Sequence, residues 1–170
     1  MSHASSSASA RVELREVEAS DLASFYEHQR DPDANRMAAF SGRDRAAFDA
    51  HWGKILADAS APKRTVLVDG QVAGYVTSWA SGGDQLVGYW IDRAHWNKGV
   101  ATRALTRFLE DLETRPLRAH VAKHNLGSIR VLEKCGFVAV REQEVSDEHG
   151  QVTEIVFELG GGGTAGRSSP

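Results

Sequence analysis

Two hydrophobic periods alternate along the chain. From Arg11, the run RVELREV sets Val12 and Leu14 on one side before a break at Val17, the period-two pattern of a half-buried strand. Ser20-Asp21 precedes Leu22, Phe25 and Tyr26 and predicts a capped helix. Helical spacing returns from Arg43 to Ala57 through Ala47, Phe48, Trp52, Ile55 and Leu56. In TVLVDGQVAGYVTSW, two β-rich stretches flank Asp69-Gly70, a dipeptide that tolerates positive φ and predicts a tight hairpin. QLVGYWID, from Gln85, follows the turn residues Gly82-Gly83-Asp84 and adds a third strand to the meander.

A helix is predicted from about Gly99 to Leu112, with Val100, Ala104, Leu105, Phe108, Leu109 and Leu112 on its buried side. Pro116 stops it and introduces a strand from Leu117 to Ala122. A short helix from Leu126 to Lys134 follows, capped by Asn125 and closed by Gly136. Phe137 to Val145 and Gln151 to Leu159 read as a last hairpin around Gly150. The order β-α-α-β-β-β-α-β-α-β-β calls for an α/β (α+β) fold, a mixed sheet with helices packed on it.

Composition narrows the function classes. At 170 residues the chain suits one domain, and 20 Lys+Arg against 23 Asp+Glu leave a net charge of -3. Scattered basic residues and slight acidity argue against a nucleic-acid partner. The single Cys135 excludes an internal disulfide and favours a reducing compartment. No apolar run approaches the roughly 18 residues of a membrane span, and MSHASSSASA lacks the basic and apolar regions of a signal peptide, so a cytoplasmic protein is expected. Residues 1–10 are Ser/Ala-rich and 160–170 Gly-rich; both read as disordered tails around a folded part, 11–159.

Chemistry concentrates in YWIDRAHWNKGVATR, from Tyr89. A strand ends near Asp92, a short loop carries Trp96-Asn97-Lys98-Gly99, and a helix starts at once. The first N–H groups of a helix have no internal partners and attract anions. Gly99 and Ala101 are small enough for a phosphate to approach the backbone. Thr102 offers a hydroxyl, and Lys98 and Arg103 offer charge. Helix packing alone would also account for a glycine there. No Walker loop and no GxGxxG is present.

One strand later comes VAKHNLGSIRVLEKCGFVAV, from Val121. Together the two passages resemble the GNAT superfamily of acetyl-CoA-dependent N-acetyltransferases. The family's Q/R-x-x-G-x-G/A signature maps onto Trp96-Asn97-Lys98-Gly99-Val100-Ala101. Its N-x-x-S/A and E-K-x-G-F elements map onto Asn125, Ser128, Glu133, Lys134, Gly136 and Phe137. GYWI ahead of WxxGxA is similar to the branch of ribosomal-protein alanine N-acetyltransferases (RimJ/RimL-like).

The resemblance implies a central mixed, mostly antiparallel sheet of about seven strands with flanking helices. It implies acetyl-CoA as cosubstrate, a primary amine as acceptor, and no metal. Main-chain groups near Trp90 and Ile91, on a bulged strand splayed from its neighbour, would pair with pantetheine and polarise the thioester carbonyl. Amides from Asn97 to Thr102 would hold the pyrophosphate, and Asn125 and Ser128 the pantetheine arm or adenosine end. The amine would attack directly, without a covalent enzyme intermediate. The chain would act as a monomer or homodimer.

Leu132 stands where many family members carry a tyrosine acid, so proton donation falls to Ser128, a water, another side chain or none. His120 is a candidate base beside the cleft or, sharing its face with Arg118, an outer-face residue; Asp92, His95 and Glu16 are further candidates. His120 and His124, four apart on a strand, stand too far apart for one metal ion. Cys135 reads as a packing residue, and Trp52, Trp79 and Trp90 as core or cleft walls. The stretch from Phe40 to Arg45 lines an acceptor mouth or forms a solvated loop. Three functions stay open: acetylation of a protein N-terminal amine, acetylation of a small amine such as a polyamine, amino acid or antibiotic, and non-catalytic acyl-CoA binding.

Overall fold

Among the described residues seven strands form one sheet: β1 (Val12–Arg15), β2 (Lys63–Val68), β3 (Gln71–Ser81), β4 (Asp84–Ile91), β5 (Leu117–Ala122), β6 (Val138–Asp147) and β7 (Gly150–Leu159). The computed structural model describes residues 9–147 and 150–160, so most of both predicted tails lies outside the described residues. Across the sheet the order is β1-β2-β3-β4-β5-β7-β6, and only β4 and β5 run parallel. The hairpin predicted at Asp69-Gly70 is present, with φ of 49° and 81°. Both residues have the positive φ that matches the twist of the flanking strands. The Asp69 carboxylate also accepts from Arg11 N–H at 2.9 Å, which fastens the start of β1 to that turn.

The β4–β5 pair makes the opening in the fold. Their register holds only at Gln85–Leu117 and Leu86–Arg118, beyond which the strands part. The sequence reading placed a bulge on β4. Instead β4 pairs with β3 without interruption from Asp84–Ser81 to Ile91–Gly74, and the irregularity lies in β3 against β2 at Ala73. The Ala73 carbonyl there accepts from Asp92 N–H at 2.8 Å and holds the end of β4 in place. Gly74 permits this contact, because a Cβ on it would stand 1.9 Å from the Trp90 carbonyl oxygen.

Among the described residues five α-helices flank the sheet: α1 (Leu22–Gln29), α2 (Pro32–Ala38), α3 (Arg45–Ala57), α4 (Val100–Asp111) and α5 (Leu126–Lys134). On one face α4 buries Val100, Ala104, Leu105 and Phe108 in the main core with Val66, Val76, Leu117 and Phe157. Each of these Val, Leu and Phe side chains contributes about 1.5–3 kcal/mol on burial. On the other face Phe25, Phe48 and Trp52 pack with Tyr75, Trp52 meeting the Tyr75 ring edge-on at 4.8 Å. Trp79 belongs to neither core; it is exposed and covers Gly88. Among the described residues no helix is long and apolar enough to cross a membrane.

Two local features differ from expectation. The predicted order lacks α2, although Asp31 caps it through Asp33 N–H at 2.9 Å and Pro32 opens it. Its seven residues bury only Ala34, so no apolar stripe announces it. Asp21 does not cap α1 with its side chain. It turns inward, 2% exposed, and accepts from Arg15 at 2.7 Å, Thr65 Oγ1 at 2.6 Å and Glu18 N–H at 2.9 Å. Burial alone would raise its carboxyl pKa, but these donors outweigh burial and hold it below the usual carboxylate range.

Candidate active site

Where β4 and β5 part, the starts of α4 and α5 face each other across a cavity of about 480 Å³. Trp90, Ile91, Trp96, Asn97, Gly99, Val100, Ala101, Thr102, Asn125 and Ser128 line it, as do Ala34, Met37 and Ala38 of α2. These include every cofactor residue read from the sequence except Lys98.

The start of α4 is built for an anion. Asn97 and Gly99 adopt left-handed φ values of 60° and 72°, and no side chain caps the helix. The backbone bond from Arg103 N–H to Gly99 O, 3.1 Å, begins the ladder, so the N–H groups of Val100, Ala101 and Thr102 precede it. A positive helix end stands behind them. A Cβ at Gly99 would meet only Arg103 Nε within 4 Å, at 3.9 Å, so the approach to these amides is open.

The charged side chains are arranged otherwise than the motif suggests. Lys98 Nζ turns back to the Ala94 carbonyl at 3.0 Å. Arg103 donates to the carbonyls of Lys98, Gly99 and Ala10 and does not line the cavity. Cationic lining comes instead from Arg130 and Lys134 of α5. Their i,i+4 spacing on a helix capped at Asn125 places them on one face, a signal the sequence reading passed over. Trp96 occupies the Q/R place of the motif and donates its indole N–H to the Ile91 carbonyl at 2.9 Å. The ring therefore braces the loop against the end of β4.

On the α5 side, the Asn125 side-chain oxygen accepts from Ser128 N–H at 3.2 Å, the predicted cap. Gly136, φ 91°, closes the helix, with Phe137 N–H bonded to Leu132 O at 3.0 Å. Leu132 is 1% exposed and belongs to the core, away from the cavity wall. Tyr89 is the hydroxyl the sequence reading missed. It lines the cavity and its oxygen lies 2.6 Å from Ser128 Oγ. Burial pushes its pKa up to about 12, so it stays protonated. Alternation along β4 puts Tyr89 with Val87 and Ile91 and was the available clue.

The base candidates separate clearly. His120 does not line the cavity; it is exposed and faces Glu154 at 3.6 Å and Gln143 at 3.4 Å. His95 does line it. Asp92 faces the largely buried His28 at 3.8 Å, and burial holds the His28 imidazole pKa below its ordinary value. Glu16 pairs with Arg64 at 3.1 Å. His124 contacts the Arg36 carbonyl at 2.9 Å, and no metal-binding cluster occurs among the described residues. Cys135 packs half-buried against Thr106 Oγ1 at 3.6 Å. Phe40 meets Trp90 edge-on at 5.4 Å, which puts the start of the Phe40–Arg45 stretch beside the cavity wall.

The sequence model of the "Acetyltransferase (GNAT) domain" matches residues 11–138, well over half of the chain. This chain belongs to the GNAT family. A 55-residue stretch is 42% identical to the Bacillus subtilis (strain 168) protein named "Probable N-acetyltransferase YjcK", and that match spans 30% of each protein. The acetyltransferase (GNAT family) from Bacillus anthracis shares the fold with a TM-score of 0.75 at 18% identity, over 88% of this chain and 94% of that one. RimL, the ribosomal L7/L12 alpha-N-protein acetyltransferase in complex with coenzyme A, gives a TM-score of 0.73 at 15% identity, over 87% and 93%. Spermidine N-acetyltransferase from Vibrio cholerae, in complex with CoA and spermine, gives 0.71 at 18%, over 86% and 95%. The seven-stranded sheet with flanking helices is the GNAT fold.

Proposed function

We propose that the protein is an acetyl-CoA-dependent N-acetyltransferase that acylates the α-amine of a protein or peptide N-terminus. The observation that carries the proposal is the joining, in one cavity, of the uncapped start of α4 with Arg130 and Lys134. Amides of Val100 to Thr102 and these two cations suit a diphosphate, and the Gly99 approach leaves room for it. Acetyl-CoA brings the acyl group as a thioester. The parting β4 and β5 expose main chain near Trp90 to bind the pantetheine arm and orient its carbonyl.

Beyond the cationic end, the wall is apolar: Ala34, Met37, Ala38 and Trp90, with Phe40 behind. Asp31 and Asp33 are paired with Arg93, and Asp92 stands 3.8 Å from His28. This end suits an amine carried on a small or apolar residue. The titratable side chains on the wall are Tyr89, His95, Arg130 and Lys134. An α-amine needs little help from them. At pH 7.5 about a third of an amine of pKa about 7.8 is neutral, against about one part in 800 at pKa 10.4. His95 or solvent takes the proton released on attack.

Free-thiol release from acetyl-CoA, measured with N-terminal peptides, polyamines, amino acids and aminoglycosides, tests the reading. The expected result is turnover with peptides well above that with polycations. Faster turnover with a small amine overturns the acceptor assignment. Stabilisation by CoA with no turnover on any amine identifies a binding module instead.

A further inference from the structure

Resting on the reading above, we propose that Tyr89 is a positioning residue that aims the Ser128 hydroxyl at the sulfur of the departing coenzyme A. The phenol is the stronger acid of the pair and lies 2.6 Å from Ser128 Oγ, so Tyr89 donates and Ser128 accepts. Its oxygen also lies 3.4 Å from the Ser128 carbonyl, a second acceptor that keeps the phenol O–H turned towards α5. With its lone pair engaged, Ser128 Oγ has its own O–H free to donate into the cavity that both residues line.

The placement follows from the fold. Tyr89 stands three residues past the last β4–β5 pair on its strand, and Ser128 lies in the first turn of the helix that follows β5. The Asn125 cap fixes that turn through Ser128 N–H. The hydroxyl pair therefore spans the wedge from β4 to α5. Leu132, one turn further along α5, is in the core and offers no hydroxyl.

In the step itself, the amine nitrogen forms its bond to the carbonyl carbon while the carbon–sulfur bond breaks and its electron pair stays on sulfur. The Ser128 O–H hydrogen-bonds the thiolate as charge develops, and neither hydroxyl loses its proton. The thiolate, of pKa near 8–9, leaves as the anion or takes a proton from solvent. A hydrogen bond to an ion is roughly twice as strong as one between neutral groups.

The test uses the full chain with CoA alone, reading the ultraviolet absorbance of the bound thiolate against pH, alongside calorimetric CoA affinity and steady-state kinetics. Tyr89→Phe keeps the ring and removes only the hydroxyl. It is expected to raise the pH at which bound CoA ionises and to lower kcat about tenfold, with the KM for acetyl-CoA unchanged. Ser128→Ala is expected to raise that pH and lower kcat likewise, and the double variant to match Ser128→Ala in both, because Tyr89 acts through it. Additive effects of the two substitutions, or an unchanged thiol titration in Tyr89→Phe, overturn the inference while CoA still binds. Absence of CoA binding to the unaltered chain overturns both this inference and the function on which it rests.

Discussion

Gly99 isolates the anion site from the rest of the fold. Its φ is 72°, and a Cβ there meets only Arg103 Nε, at 3.9 Å. Substitution therefore brings backbone strain without a steric clash. For Gly99→Ala the left-handed conformation costs about 1–2 kcal/mol of stability. Asp tolerates that conformation better, so Gly99→Asp is expected to melt no lower than Gly99→Ala. The two differ in charge at the site. At about 5 Å, two unit charges repel by about 0.8 kcal/mol in bulk water and about 3 kcal/mol at an effective dielectric of about 20. A diphosphate carries two such charges, so Gly99→Asp weakens CoA at least about tenfold relative to Gly99→Ala. Calorimetric titration of CoA into both variants, with melting curves, measures this. Raising the salt concentration should narrow the gap. Equal CoA affinity in the two folded variants would refute the placement of the diphosphate.

Gly74→Ala should disturb the site from beneath, since the new Cβ falls 1.9 Å from the Trp90 carbonyl oxygen; lower stability and weakened CoA binding are expected by melting and calorimetry. Retention of both would show that β4 yields freely at Trp90. Asp21→Ala leaves Arg15 and Thr65 without their shared acceptor and should cost about 2–4 kcal/mol in denaturant titrations, with CoA affinity intact. Because the folded carboxyl pKa of Asp21 is depressed, its contribution is fully present above the unfolded value of about 3.9 and is lost as pH falls through the folded value. The same sign holds for His28, whose stabilising contribution should decline as pH falls below about 6.5. Acid titrations of stability for His28→Gln and the unaltered chain check this; coincident profiles in that range would exclude His28.

Most strands and the long helices were legible because they bury one face: Val100, Ala104, Leu105 and Phe108 repeat at the period that α4 presents to the sheet, whereas β6 is exposed along nearly its whole length. The helix α2 was not, because its boundary lies in Asp31-Pro32 and its burial in Ala34 alone. Backbone features of the site were readable from Gly99 and Asn125, whose conformations follow from residue type. Side-chain directions were not. Lys98 and Arg103 are adjacent to the anion site in sequence, yet both donate to main-chain carbonyls and neither lines the cavity, while Arg130 and Lys134 arrive from a helix that is near only in space. The Tyr89–Ser128 pair likewise joins residues 39 apart across the wedge, a contact set by the parting of β4 from β5. His120 shows the converse: its neighbours Ala119 and Val121 are buried, and alternation turns its ring to the outer face.

A crystal structure of the full chain with acetyl-CoA tests the central claim most directly. The diphosphate should accept hydrogen bonds from the main-chain N–H groups of Val100 to Thr102, with the pantetheine arm running between β4 and the start of α5. A diphosphate bound away from the head of α4, or an arm that bypasses the gap between β4 and β5, would contradict it.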